Sequence, residues 1–290
     1  MRKDCEICGG PGNVCGHKWG KLAGRDFELR RCGQCQFLWV ADPEAQPGRY
    51  YDEAYYRGQG ADPWINYVEE LERPASNSRR YEWRGILETV AAQQALGPGT
   101  RWLDFGCGNG GLVRHLRAAG LQHAEGTEEG WIAKEARGHG IPVHPWRAVC
   151  RRRYDVITAI EVLEHVEKPV QLLAKLRKML KPGGLFFYTT GNPETFPGPL
   201  MAWPYITPEI HVSFYSPGVM QKALEKAGFA IEPLSSREGY REIYRFKLAK
   251  TMRGAGALAA LLPMGILAGW LDARVGLTQY PLGRALERRR

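Results

Sequence analysis

The chain has 290 residues, 44% of them hydrophobic and 24% charged, which is enough apolar material for a buried core and excludes a disordered or fibrous chain. Its formal net charge of +9 points toward anionic partners such as nucleic acid or a phospholipid surface. Part of that charge is local, in Arg151, Arg152 and Arg153 and again in Arg284, Arg288, Arg289 and Arg290, and such clusters also occur on solvated faces and frayed ends.

The opening MRKDCEICGG has no apolar run behind its charges, so neither a secretory signal nor a membrane anchor is expected there. Seven cysteines make an odd number and include two C-x-x-C pairs, a usage that suits a reducing cytoplasm and metal binding better than a disulfide framework. Cys5 and Cys8, then Cys32 and Cys35, read as the two knuckles of a structural Zn2+ ribbon over residues 1–45, each placing two thiolates on a tight turn as a tetrahedral four-sulfur site requires. Metal would supply the folding free energy of so short a segment. Cys15 and His17, between the knuckles, are assigned to the loop because a four-thiolate site is closed.

Residues 46–98 read as a linker and N-terminal helices. QPGRYYDEAYYRGQGADP is rich in Gly, Pro and Tyr and reads as a linker with aromatic contacts, and beyond Pro74 an amphipathic helix carries Ile86, Leu87, Val90 and Ala91 before a Gly-Pro-Gly stop. From residue 99 to 236 strands and helices alternate. RWLDF, HAEGTE, IPVHP, YDVITAI and LFFYTTG read as five strands, and KPVQLLAKLRKMLKPGG as a helix with Leu172, Leu176, Met179 and Leu180 on one face. Such alternation predicts an α/β fold, a Rossmann-like doubly wound and mostly parallel sheet, with ligands beyond the C-terminal strand ends. Residues 192–216, rich in Pro and aromatics, are expected to form a lid over substrate.

Residues 237–290 read as a basic and apolar C-terminal extension. Gly254 to Leu271, GAGALAALLPMGILAGWL, carries no charge, and Lys250, Arg253 and Arg274 flank it. Three placements remain open for it: a buried or lid helix, a helix resting on a membrane, or a span interrupted by Pro263. On the membrane reading, removing residues 252–290 is expected to leave cofactor binding intact.

The chemistry centres on LDFGCGNGG. Gly106, Gly108 and Gly111 satisfy G-x-G-x-x-G, a loop that cradles dinucleotide pyrophosphates, yet Asp104 stands two residues ahead of the first glycine. A carboxylate there repels a pyrophosphate and favours a cationic ligand. The methionine ammonium and the sulfonium of S-adenosylmethionine meet that requirement, and Glu128, at the end of the second strand, is placed to accept from ribose hydroxyls.

At these residues the chain resembles the class I S-adenosylmethionine-dependent methyltransferases. LDFGCGNG matches their first motif, GTEEG their acidic second-strand end, YDVITAIEVLEHV the fourth strand and its loop, and LKPGG the turn before the fifth strand. The cysteine pairs followed by YYDEAYY further resemble the zinc-ribbon-bearing subgroup, which modifies small molecules, sugars and glycolipids. The resemblance implies cofactor contacts from Asp104, Gly106, Cys107, Gly108, Gly110, Glu128, Glu129 and Glu161. The acid that usually binds adenine after the third strand is missing, because no Asp or Glu occurs between Glu135 and Asp155; Trp146 and Val149 are the candidates for an adenine wall. His211 is the first candidate for a general base and His165 the second, with a structural hydrogen bond as the alternative role of each.

O-methylation of a small-molecule, sugar or lipid-linked acceptor leads. An RNA methyltransferase docking through its ribbon is the second reading, weakened because AIEVLE stands where base N-methylating enzymes carry an Asn/Asp-Pro-Pro-aromatic motif. A ribbon binding module on an idle Rossmann scaffold is the third. A cytoplasmic protein, with possible peripheral membrane contact through residues 254–290, is expected.

Overall fold

The computed structural model describes residues 2–59, 66–252 and 261–285. Near the N-terminus, β1 (Gly12–Gly20), β2 (Arg25–Cys32) and β3 (Leu38–Val40) form an antiparallel meander. Short helices α1 (Glu53–Tyr56) and α2 (Tyr67–Glu72) lead to α3 (Arg79–Gln93). The alternating part then runs β4 (Arg101–Phe105), α4 (Gly111–Ala118), β5 (His123–Thr127), α5 (Gly130–Gly138), β6 (Val143–His144), α6 (Trp146–Val149), β7 (Tyr154–Ile160), α7 (Pro169–Met179) and β8 (Leu180–Thr189). After it come β9 (Ser213–Phe214), α8 (Pro217–Lys226), β10 (Phe229–Glu232), α9 (Glu238–Thr251), α10 (Met264–Val275) and β11 (Leu282–Ala285).

Seven strands make the main sheet in the order β10-β11-β8-β7-β4-β5-β6. Its β6, β5, β4, β7 and β8 are parallel, as the β-α-β alternation predicts, and β11 enters antiparallel to both neighbours. The chain leaves β4 toward β5 and β6 and returns to the other side of β4 with β7, so the switch point lies between the ends of β4 and β7. The α7 helix buries Leu176 and Met179, as its apolar spacing predicts, but Leu173 takes the buried place expected of Leu172, which lines the cavity half-buried, and Leu180 begins β8. One sheet face packs on α7 and α8, and the other on α3, α4, α9 and α10.

Two features of the sequence reading change. The expected division at residue 236 separates nothing: α9 lies so close to α3 that a Cβ on Gly85 would meet the Gly239 carbonyl at 2.4 Å, and β11 fills the gap between β8 and β10. Arg284 on β11 ties the sheet together through Glu232, the Gln94 side chain at 2.9 Å and the Gly183 carbonyl at 3.0 Å. A four-residue strand with two apolar residues falls below any periodicity signal, and only the open edge of β8 gives it a place. Residues 254–260 of the apolar run lie outside the described residues. From Met264 the run lies in α10, with Met264 and Ala268 buried and Ile266 and Trp270 exposed, as is Leu261 just before the helix. No described helix is long and apolar enough to cross a membrane.

Two residues of segment 192–216 pair with the N-terminal meander: β9 adds to β3 through Leu38 opposite Phe214 and Trp39 opposite Ser213. Four sulfurs gather beside this sheet, with Cys5 Sγ 3.4 Å from Cys35 Sγ and Cys8 Sγ 3.4 Å from Cys32 Sγ. All four lie within 4.8 Å of one another.

Because β11 is interior to the sheet, truncation after Met252 should yield a chain without a cooperative thermal transition, contrary to the separable tail that the sequence suggested. The milder Leu282→Ala should cost about 2–5 kcal/mol in urea unfolding, the usual range for a fully buried leucine. A truncated chain that melts like the full-length protein would remove β11 from the sheet.

Candidate active site

A cavity of about 1090 Å³ opens at the switch point. Single-ligand pockets span roughly 300–1,000 Å³, so it has room for two ligands together. The turn after β4 forms its floor. Gly106 and Gly108 adopt positive φ of 68° and 52°, which side chains rarely tolerate, and a Cβ on Gly106 would meet Val162 at 2.7 Å. The backbone therefore comes to the cavity surface with no side chain in the way. Asn109 locks the turn from below, donating to the Tyr67 carbonyl at 2.9 Å and to Glu70 at 2.8 Å and accepting from Gly111 N–H at 2.9 Å.

Asp104 ends β4 facing the cavity. Among the described residues only Thr158 donates to it, at 2.7 Å, and Thr158 is itself oriented by the Trp102 indole N–H at 3.1 Å. Burial pushes the Asp104 carboxyl up to about 7, against the pull of the Thr158 hydroxyl and the Arg79 charge. Glu128 stands at the end of the neighbouring β5. One of its oxygens accepts from Gly108 N–H at 3.1 Å and the other from Glu129 N–H at 2.9 Å; burial raises this carboxyl, and those two donors oppose the shift. Two carboxyls thus flank one glycine turn.

Other expected contacts separate on inspection. Trp146 lines the cavity, edge-on to Phe105 with ring centres 5.6 Å apart, and its backbone N–H donates to the Glu129 side chain at 3.2 Å. Val149, the second candidate for an adenine wall, is fully buried in the core under α6 and does not reach the cavity. Gly110 is also turned away, since a Cβ there would strike Ile141 at 2.7 Å; its φ of 71° starts α4 instead. Cys107 reaches the cavity edge, but its sulfur packs where a Gly126 side chain would stand.

The far end of the cavity is built from the loop after β7 and from segment 192–216. Glu161, in a left-handed conformation with φ of 53°, accepts from the Tyr205 hydroxyl at 2.9 Å and lies 3.7 Å from Lys247. Glu164 meets the same hydroxyl at 2.6 Å and accepts from Thr190 at 3.0 Å. Burial alone would raise Glu161, yet Lys247 and Tyr205 hold it below the usual carboxylate range. Glu164 is raised by burial and by the negative charge of Glu161.

His165 and His211 meet here with ring centres 4.8 Å apart. His165 Nδ1 lies 2.9 Å from the Ile210 carbonyl and 2.8 Å from the Tyr51 hydroxyl oxygen, and His211 Nδ1 lies 2.6 Å from the Tyr205 carbonyl. A carbonyl only accepts, so Nδ1 is assigned the proton in both rings; the Glu161 carbonyl is a further acceptor beside the His165 ring. Burial lowers the basicity of both, and His165 lowers His211 further, to about 3.

Sequence reading missed part of the wall. Tyr51, Tyr55, Tyr56 and Tyr67 line the cavity; the first three stand in the stretch taken for a linker, and the repeated tyrosines of RYYDEAYY were the available signal. Arg79, Lys175, Lys247 and Lys250 also line it, and no motif marks them. Arg79 is held as a cation by Glu82 at 3.1 Å.

Similarity to known proteins agrees with this geometry. The family described as Methyltransferase domain matches residues 76–234. The ubiquinone biosynthesis O-methyltransferase of Bordetella pertussis is 30% identical over 220 residues, covering 68% of this chain and 88% of that protein. Among solved structures, the Haloferax volcanii complex of the Trm112 methyltransferase activator with a methyltransferase aligns at a TM-score of 0.50 and 14% identity, over 77% of this chain and 96% of that one. Phosphoethanolamine N-methyltransferase 2 of Haemonchus contortus, solved with S-adenosyl-L-methionine, aligns at 0.46 and 15% identity, over 77% and 60%. The first of these likenesses concerns the fold alone.

Proposed function

We propose, from the premise that this chain belongs to the methyltransferase-domain family and is an S-adenosylmethionine-dependent methyltransferase, that it methylates a hydroxyl of a small-molecule acceptor. The observation that carries the reading is the pair of carboxyls, buried Asp104 and half-buried Glu128, on either side of a side-chain-free turn. Asp104 complements the methionine ammonium, Glu128 takes the ribose hydroxyls, Gly106 and Gly108 admit the cofactor to the backbone, and Trp146 covers the adenine. The O-methyltransferase name of a relative at 30% identity supports a hydroxyl acceptor. Radiolabelled S-adenosylmethionine with a panel of hydroxyl and amine acceptors tests it; turnover confined to amines would reject the hydroxyl assignment.

Methyl transfer is an in-line displacement, so the protein's work is alignment, exclusion of water and disposal of the acceptor proton. Segment 192–216 covers the far end with Phe196, Trp203 and Tyr205, leaving the acceptor between them and the turn. His211, expected as the base, faces that space, but at about 3 its ring is a poor acceptor for a hydroxyl proton near neutral pH. We therefore assign both histidines to holding the acceptor.

The cofactor assignment has a pH signature. Only ionised Asp104 pairs with an ammonium, so affinity for S-adenosylmethionine should be full above about 7 and fall as the pH drops below it. Asp104→Asn should flatten that dependence and cost roughly ten- to a hundredfold in affinity, the worth of a charge-assisted hydrogen bond at about 1.5–3 kcal/mol. Glu128, Glu82 and Arg79 face the same carboxyl and are unchanged in this variant. Calorimetry across pH 5.5 to about 8.5 is the measurement, and an identical profile for wild type and variant would exclude Asp104 as the ammonium partner.

We assign the four gathered thiols of Cys5, Cys8, Cys32 and Cys35 to one structural zinc, since tetrahedral Zn–S bonds of about 2.3 Å put sulfurs roughly 3.8 Å apart, between the 3.4 Å of the two near pairs and the 4.8 Å that bounds the cluster. Purified reduced protein should carry about one zinc per chain. Cys32→Ser should lose it and lower the melting temperature, and metal analysis of both proteins checks this.

A lipid-linked acceptor is the finer reading, favoured by the exposure of Leu261, Ile266 and Trp270 on and beside α10. Such a face with Arg274 beside it suits an interfacial helix. The protein should float with anionic vesicles at low salt and be released at high salt. Replacing Ile266 and Trp270 with Ser should abolish flotation without altering the melting temperature.

A further inference from the structure

We propose that the protein has a second ligand site, for a phosphate group carried free or as the monoester of a small molecule, in a basic hollow at the end of the sheet opposite the active site. The hollow has a volume of about 240 Å³, and Arg101, Arg117, Arg152, His123 and Glu125 line it. It shares no lining residue with the large cavity. Arg101 opens β4 and Asp104 stands near the other end of the same strand, so their Cα atoms lie roughly 10 Å apart at about 3.3 Å per residue.

The fold accounts for the gathering. Parallel strands bring their N-terminal ends to one edge, and Arg101 at the start of β4 stands opposite His123 at the start of β5. Arg117 comes from the last turn of α4, and Arg152 from the run just before β7. Arg152 is the middle member of the cluster Arg151, Arg152 and Arg153, whose charge points toward an anionic partner and which the methyl-transfer site leaves unused.

The charges within the hollow are unbalanced. Its one acid among the described residues is Glu125, and that carboxylate is already engaged: it accepts from the Tyr154 hydroxyl at 2.7 Å, pairs with Arg152 and lies 3.3 Å from His144 Nε2. Asp155, beside the start of β4, accepts the Arg101 backbone N–H at 2.8 Å and is held by Lys181 at 2.7 Å. Among the described residues no carboxylate pairs with the Arg101 or Arg117 guanidinium. Arg117 donates to the carbonyls of Gln122 and Ala124, which are neutral acceptors. The Arg101 guanidinium donates to no described residue and lies 5.7 Å from the centre of the Tyr154 ring.

Three half-buried guanidinium ions therefore face one carboxylate. A phosphate monoester, with a charge of about −1.5 to −2 at pH 7, offsets the excess, and its oxygens accept the paired N–H groups that arginine presents. The size of the hollow selects among phosphates. It holds the group itself and a few attached atoms, whereas a nucleic-acid strand needs a groove that follows its backbone.

Ribose 5-phosphate and inorganic phosphate are the probes, titrated by calorimetry into full-length, zinc-replete protein with and without saturating S-adenosylmethionine. About one site per chain is expected, with the same affinity in both states. Arg101→Gln should weaken binding roughly tenfold or more and leave the melting temperature unchanged, because that guanidinium holds no other part of the fold. Arg117→Gln should weaken it likewise. Tighter binding of ribose 5-phosphate supports the site and assigns it to a monoester, and equal affinities support it as a site for the free anion. No binding of either probe at millimolar concentration, or equal binding by wild type and folded Arg101→Gln, overturns the site. Binding that S-adenosylmethionine abolishes places the phosphate at the glycine turn and overturns it too. A single-stranded oligonucleotide that binds where neither small anion does would replace the hollow with a nucleic-acid surface.

Discussion

The acceptor end of the cavity depends on a ladder of two residue pairs. Leu38 opposite Phe214 and Trp39 opposite Ser213 join the N-terminal meander to the segment that carries Tyr205 and His211. Around this ladder, Val40 N–H donates to the Val212 carbonyl at 3.0 Å, Val212 N–H to the Glu164 carbonyl at 2.7 Å, and Leu22 N–H to Glu209 at 2.8 Å. The segment lies between two rigid partners, the meander on one side and the loop after β7 on the other. A long connection that would otherwise be free thereby acquires a defined path, and a site built on it acquires a defined shape.

The second constraint is electrostatic. Parallel strands bring their C-terminal ends to one edge, so Asp104, Glu128 and Glu161, far apart in sequence, face a common space. Burial there disfavours the charged form and, with a smaller contribution from neighbouring carboxyls, raises Asp104, Glu128 and Glu164. Cationic ligands relieve that strain, and the sulfonium cofactor of this family is one. The meander beside the four cysteines, segment 192–216 and the acidic edge are joined through β9, which pairs with β3, and through Tyr205, which meets Glu161 and Glu164.

Residue patterns carried the reading where the chemistry is local. Gly106 and Gly108 lie in a short turn whose conformation their own neighbours dictate, and Asp104 and Glu128 stand at strand ends that alternation locates to within a residue or two. The cysteine pairs are likewise local turns. His165 and His211 were found by residue type, but nothing in their spacing indicated that the rings touch or that both donate Nδ1–H to carbonyls. Tyr51 was lost in an apparent linker, Lys247 in an apparent extension, and Val149 was placed one layer too far out. Each of these errors concerns which way a side chain faces once segments distant in sequence have packed.

The sequence by itself determined the sheet, the glycine turn with its two acids and the paired cysteines, because periodicity, turn chemistry and ligand spacing act over a few residues. Tertiary structure decided the edge of the main sheet, where β11 completes what β8 and β10 leave open, and the contact of β9 with β3. It also decided the meeting of Glu161, Glu164, Tyr205, His165 and His211. Those contacts join residues tens of positions apart whose partners are chosen by shape and by unpaired backbone groups, and no local pattern encodes that choice.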